Sequence, residues 1–399
     1  MNRIPFENSK FEKVRIRFLI SEKVKSKIQV SEAKSQNEAQ YPFFTSGENI
    51  LSFDKFLCDD ETIFLNTGGN ASVKFYNGKA SYSTDTYAIE SKNQNYCLTK
   101  FLFYCLNDTK FINDTFFEGS ALKHLQKYKF KNFRIPLPPL AEQERIAEFL
   151  DKKCASIDSS IENLEQKTKS LAEYKKALIT QCVTKGLNPK ILEFKDSGIP
   201  WIGQIPKHWE VRPLYYFFKE RKNKNLLGKE KNLLSLSYGK IIRKDIETKY
   251  GLLPENFNAY NIIEKDDMVF RFTDLQNDKV SLRTGLVCEK GIITSAYITI
   301  TPKRNICVSF YHYLLHCYDL MKVFYNFGNG VRQGLTYKEL SKMKILVPPL
   351  TEQEKIAEFL DKKCEKIDNL SANYKEQIKT LKEYKKALIY ECVTGKKQI

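Results

Sequence analysis

The chain has 399 residues, 42% hydrophobic and 13% aromatic, enough apolar material for two or three packed domains and too much for a disordered chain. Lys and Arg outnumber Asp and Glu by 65 to 48, and the formal charge of +17 favours a polyanionic partner such as nucleic acid over an acidic small molecule. No apolar run of 18 residues occurs, residues 1–18 hold no apolar core, and the ten cysteines form no CxxC pair; the expectation is a protein of the reducing cytoplasm, neither secreted nor membrane-spanning.

Residues 1–135 carry short β-rich runs, such as 62–65 and 82–89, divided by Gly68-Gly69-Asn70 and by Asn77-Gly78. Asn-Gly between such runs predicts a hairpin turn. Residues 96–106, YCLTKFLFYCL, predict a buried helix, and a basic stretch then leads to a pair of prolines. This segment is expected to be a compact α/β domain.

Residues 136–186 begin PLPPLAEQERIAEFLDKKC and predict one long helix, opened by Pro138-Pro139 and early glutamates and closed by Gly186. Leu150, Cys154, Ile157, Ile161, Leu164, Thr168, Leu171, Lys175, Leu178 and Cys182 step by four and three residues in alternation, the spacing of a coiled-coil seam. At 1.5 Å per residue such a helix is roughly 60–70 Å long, a spacer.

Residues 187–345 form a second globular segment, and residues 346–399 repeat the helix. LVPPLTEQEKIAEFLDKKC returns the first opening, EYKKALIYECVT returns EYKKALITQCVT, and both stand 210 positions after their first copies. The second seam reads Leu360, Cys364, Ile367, Ser371, Tyr374, Ile378, Leu381, Lys385, Leu388 and Cys392. The same offset aligns Thr84, Tyr87, Cys97, Phe101 and Leu125 with Thr294, Tyr297, Cys307, Tyr311 and Leu335, so the repeat unit is a domain plus a helix. A compact second domain must begin and end near one point, which requires the two helices to run antiparallel. The expected fold is α+β: two globular α/β domains joined by two long antiparallel coiled-coil helices in a pseudo-twofold internal repeat.

Catalytic motifs are not found. His312 and His316, four apart beside Cys317, align with Leu102 and Leu106 at this offset and are read as packed histidines rather than a metal site. No phosphate-binding glycine loop, nucleophile elbow or Asn/Asp-Pro-Pro-aromatic motif is present. Basic and amide residues near turns are the candidates for DNA contact: Asn70, Lys74, Lys79, Lys123 and His124 in the first domain, and Arg271, Lys279, Arg283, Arg332 and Gln333 in the second. Arg can read guanine and Gln can read adenine in the major groove, although phosphate contact is the commoner role. A self-contained methyltransferase or nuclease, or a coiled-coil scaffold unrelated to DNA, are the alternatives. The first needs a cofactor or metal motif, and the second leaves the duplicated basic domains unexplained.

PLPPLAEQERIAEFLD with a later EYKKALI, in two copies separated by a domain that opens DSGIPWIGQIPKHWEV, resembles the specificity subunit of type I restriction-modification systems over essentially the whole chain. The resemblance implies two target-recognition domains, each reading half of a bipartite, asymmetric site in double-stranded DNA. It also implies that the repeated helices dock two modification (methyltransferase) subunits, joined later by restriction subunits. S-adenosylmethionine, ATP and Mg²⁺ then belong to those partners and no cofactor to this chain. The first domain departs from the pattern, opening MNRIPFENSKFEKV in place of the SGIPWIG type.

Overall fold

The computed structural model describes residues 6–246, 256–273, 282–327 and 334–399. The chain divides into two compact units, Met1–Glu165 with Lys375–Ile399 and Gln166–Tyr374, so each unit takes one globular segment and part of both long helices.

In the first unit β1 (Lys13–Arg15) and the short helix α1 (Ile16–Leu19) lead into a six-stranded sheet, and β1 pairs antiparallel with β10 (Arg134–Pro136). The sheet order is β2 (Ile20–Glu22), β7 (Thr86–Ser91), β5 (Cys58–Asn66), β6 (Val73–Tyr82), β3 (Tyr41–Phe44) and β4 (Leu51–Phe53). Side chains alternate between its faces. Ile63, Leu65, Tyr87 and Ile89 join the core that holds helix α2 (Thr99–Cys105), whereas Phe64, Tyr82 and Ala88 pack with Phe44 in a smaller cluster on the other face. Helix α3 (Thr109–Phe116), capped by the Asp108 carboxylate on Phe111 N, the ribbon β8 (Phe117–Glu118) with β9 (His124–Leu125), and helix α4 (Lys127–Asn132) complete the segment.

One expected turn is absent. Asn77-Gly78 lies inside β6, paired with Glu61 and Asp60 in a ladder that runs unbroken from Cys58↔Ala80 to Leu65↔Val73. Eight consecutive cross-strand pairs outweigh a local turn preference, and the turn falls at residues 67–72.

The second unit is built of smaller sheets. The hairpin β11 (Phe194–Asp196)·β12 (Gln204–Pro206) precedes β13 (Glu210–Pro213), which pairs with β22 (Lys344–Val347). A four-stranded sheet has the order β14 (Phe218–Glu220), β21 (Ile298–Pro302), β18 (Met268–Phe270) and β19 (Thr284–Leu286). The ribbons β15 (Leu234–Ser237)·β16 (Lys240–Arg243) and β17 (Asn261–Ile263)·β20 (Gly291–Ile293) flank it. Helices α6 (Val308–Leu320) and α7 (Tyr337–Lys342) carry the chain on, α6 burying Phe310, Tyr311, Leu314 and Leu315.

The long helices are α5 (Leu140–Lys185) and α8 (Leu350–Val393). Within the first unit Lys385 binds Asp158 at 2.6 Å and Lys382 binds Glu165 at 3.3 Å, so ascending numbers meet descending ones and the pair is antiparallel. Within the second, Lys175 binds Asp368 at 2.6 Å, the same ion pair 210 positions exchanged, while Cys182 and Cys364 share one core. Every seam position named above is buried or half-buried, including Leu150, Ile157 and Ile161 of α5 and Leu360, Ile367 and Leu388 of α8. Leu164, Leu171, Leu178, Ile378 and Leu381 are only half-buried. The helices end at Gly186 and Gly395, whose φ of +76° and +72° close the last turn at little steric cost.

The two segments repeat the same hydrogen bonds with small changes of length. Lys92 N to Leu19 O recurs as Lys303 N to Phe217 O, Leu98 N to Gln143 Oε1 as Cys307 N to Gln353 Oε1, and Tyr104 with Asp151 as Tyr313 with Asp361. The offset is therefore 211 at β7 and 209 at α2, against 210 in the helices. Cys97 and Phe101 correspond to Ile306 and Phe310, not to Cys307 and Tyr311. His312 and His316 correspond to Phe103 and Asn107, not to Leu102 and Leu106. Changes of a residue or two are absorbed in connections, which leaves the packed elements equivalent.

The departure at the start of the first segment also has a structural counterpart. Lys13 pairs with Pro136 as Val211 pairs with Leu346, which aligns Phe11 with Trp209. Trp209 packs near Gly186 and donates its indole N–H to Glu352 at 3.0 Å; Phe11 packs against Gly395 but has no donor, and the equivalent Glu142 pairs with Arg145 instead.

Candidate nucleic-acid interface

The turn between β5 and β6 is organised by one buried amide. Asn66, 2% exposed, donates from Nδ2 to Gly68 O at 2.7 Å and Asn70 O at 2.5 Å, and its Oδ1 accepts from Ser72 N at 2.7 Å. Gly69, at φ +82°, supplies the left-handed residue that this turn requires. The turn then docks on the β8–β9 tip: Gly69 N donates to Lys123 O at 2.9 Å, and Leu125 N to Thr67 O at 3.0 Å. Asn70, Lys123 and His124 are thereby brought to one exposed place, with the His124 ring over Gly68.

The other two candidates of this segment lie elsewhere. Lys74 is half-buried and donates to Thr45 O at 3.2 Å and to Gly47 O, pinning the connection between β3 and β4; burial pushes its ammonium pKa down. Lys79 is exposed, 3.9 Å from Asp59 and 5.0 Å from the Phe56 ring centre. Six residue steps along β6 separate it from Val73 beside the turn, about 20 Å.

In the second unit Arg271 is exposed just beyond β18, and its backbone N–H donates to Arg283 O at 2.9 Å. Arg283 is buried. Its guanidinium donates to Arg271 O at 3.0 Å and Thr273 O at 2.6 Å, while its backbone N–H donates to the buried Asp319 carboxylate at 2.7 Å. It ties together the ends of β18 and β19. Lys279, Arg332 and Gln333 lie outside the described residues.

His312 and His316 stack with ring centres 6.3 Å apart, and Thr284 Oγ1 stands 3.5 Å from His316 Nδ1. Burial pushes both pKa values down to about 4, with each other's charge adding at His312 and Lys175 adding at His316. Among the described residues no group of three or more His, Cys, Asp or Glu is placed to hold a metal ion.

Three features were not anticipated from sequence. Asn66 has the local signal of an Asn ahead of Thr-Gly-Gly-Asn. Leu122 and Tyr128, 58% and 81% exposed beside Lys123, His124 and Lys127, carry none, because exposure of an apolar side chain is a tertiary property.

The helix openings explain themselves as glue. Gln143 is buried and its amide accepts from Leu98 N at 2.8 Å and donates to Tyr96 O at 3.0 Å and Pro138 O at 2.9 Å. Gln353 repeats this with Cys307 N at 3.0 Å and Pro348 O at 2.8 Å. Ile146, Ala147 and Leu150 bury the next turns, and Asp151 accepts from the Tyr104 hydroxyl. PPLxEQxxIAxFLD is thus the seam between each globular segment and its helix.

The profile of the family described as type I restriction modification DNA specificity domain matches residues 8–171 and again residues 206–380, one match for each repeat. The chain belongs to this family. Among curated relatives, the specificity subunit of the type I restriction enzyme MjaVIII from Methanocaldococcus jannaschii is 26% identical over 85% of this chain and 79% of its own length. The EcoDI specificity subunit from Escherichia coli is 28% identical over 44% of this chain and 42% of its own. A chain of a type I restriction-modification system, solved in a study of complex assembly and conformational transition, shares the fold over 96% of this chain and 97% of its own, with a TM-score of 0.61 at 16% identity. The chain is accordingly a DNA-specificity subunit, the recognising rather than the catalytic component of a restriction-modification enzyme. No described helix is long and apolar enough to cross a membrane.

Proposed function

We propose that the segments 1–135 and 187–345 are the two target-recognition domains, each reading one half of a bipartite, asymmetric site in double-stranded DNA. The stretches 136–186 and 346–399 form the spacer on which two methyltransferase subunits dock. Methyl transfer from S-adenosylmethionine belongs to those subunits, and ATP- and Mg²⁺-dependent cleavage to restriction subunits that join them in the cytoplasm. The observation that carries the reading is what the repeat keeps and what it changes. The Gln143 and Gln353 clamps and the exchanged pairs Lys385–Asp158 and Lys175–Asp368 are the same in both copies. What changes is sequence: Leu122 and Lys123, at the exposed tip of the first segment, align at an offset of 210 with Arg332 and Gln333. Shared docking with divergent reading calls for that pattern. Among the described DNA-contact candidates, Asn70, Lys123 and His124 form the first domain's reading face, with Lys79 and Arg271 as phosphate contacts. Lys74 holds the β3–β4 connection of the first domain, and Arg283 the ends of β18 and β19 in the second. The ten free cysteines support a reducing compartment.

The test is methylation mapping in cells with and without this gene, paired with purified components. The chain with its modification subunit methylates adenine in a two-part motif, and the chain alone methylates and cleaves nothing. Methyl transfer by the rigorously purified chain alone, or a single uninterrupted motif, would overturn the reading.

A further inference from the structure

We propose that Leu122 is a specificity-determining residue of the first half-site, reading a thymine through its 5-methyl group in the major groove. The proposal rests on the DNA-reading face assigned above and names the chemistry of one position in it.

Leu122 stands at the tip of the β8–β9 ribbon, 58% exposed, between the ribbon's glycine and the exposed pair Lys123 and His124. The tip is tethered on both sides of the leucine. Gly119 has φ +149°, and a Cβ there would stand 2.1 Å from Leu122 O, so the backbone passes where only glycine fits. On the other side Lys123 O accepts from Gly69 N at 2.9 Å. The leucine is therefore presented outward by a short ribbon fixed at both of its flanks, and an ordered contact surface costs little further entropy on binding.

A two-stranded ribbon fits the major groove, where the apolar feature on a base edge is the thymine methyl. An aliphatic side chain gains nothing from phosphate, so a leucine on a face otherwise made of an amide, a lysine and a histidine adds discrimination rather than general affinity. Its counterpart in the other repeat, Arg332, has the opposite chemistry, as two domains reading different bases from one position require.

The experiment uses the complex of the chain with its modification subunit and a duplex carrying the motif found by methylation mapping. Each thymine of the first half-site is replaced in turn by deoxyuridine, which removes only the methyl. Wild type loses roughly fourfold in affinity at one thymine, the worth of one buried methyl-sized group. Leu122→Ala binds the natural duplex about as weakly as wild type binds the substituted one, and no longer distinguishes thymine from uracil there. Unchanged discrimination in L122A, an equal loss on all sequences, or base unstacking reported by 2-aminopurine beside the site would each overturn the proposal. Specific binding persists in those three cases, whereas absence of specific binding by the wild-type complex overturns the underlying reading.

Discussion

Gln143 is a neutral amide sealed between a helix and the domain it carries, and each of its three hydrogen bonds satisfies a backbone group of the surrounding chain. Truncation at this position removes all three bonds and leaves Pro138 O, the fully buried one of the three partners, unsatisfied. Gln143→Ala is expected to lower stability by about 3 kcal/mol, since an unsatisfied buried polar group costs about 1–3 kcal/mol. Urea unfolding monitored by circular dichroism measures this; a loss under about 1 kcal/mol would show that the amide does not hold the joint. The histidines give a second test. Burial depresses the pKa of His312 and His316 from 6.5 to about 4, so between those values the unfolded chain binds protons that the folded chain does not. Their contribution is complete above pH 6.5 and is lost as the pH falls toward 4, by up to about 3 kcal/mol for each ring. The unfolding midpoint should therefore drop between pH 7 and pH 5. His312→Phe, the residue found at the equivalent Phe103, should flatten that drop, and an equal slope in the variant would refute the assignment.

At the scale of elements, legibility follows the reach of the interactions. Both long helices, their seams and their closing glycines were readable, because a four-three pattern and a C-terminal Gly are local and were written twice in the chain. The helix around Phe101 and Leu102 was readable for the same reason, as one unbroken apolar run. Asn77-Gly78 forms no turn because the ladder that overrides it comes from β5, more than a dozen residues earlier. Lys74 and Arg283 are DNA-contact candidates by type and by nearness to turns. Their carbonyl partners, Thr45 and Gly47 for one and Arg271 and Thr273 for the other, are set by strand pairing, which composition does not encode. The histidine counterparts were misaligned by one residue, since a constant offset carried the register of the nearly identical helices into segments whose connections differ in length. Of the candidate face, Asn70, Lys123 and His124 were named from sequence, but only the bonds from Gly69 to Lys123 and from Leu125 to Thr67 show that two distant turns make it together.

At the scale of the whole molecule, the helices α5 and α8 are the covalent elements that both units share, and their repeated seam makes their length adjustable in whole heptads. Inserting seven residues after Leu164 and after Tyr374 preserves the four-three spacing and lengthens both helices equally. Each helix gains roughly 10 Å from its rise per residue. If the spacer governs how far apart the half-sites lie, that length corresponds to about three base pairs at 3.4 Å each. The methylated motif should keep both half-sites and acquire non-specific bases between them. Three base pairs also turn one half-site by roughly a quarter to a third of a revolution, at about 10–10.5 base pairs per turn, so weaker binding accompanies the longer motif. Methylation mapping with the lengthened chain reads the outcome in one experiment. A motif of unchanged length, from a complex that assembles and methylates, would mean that something other than these helices sets the distance, since nothing else in the variant has been altered.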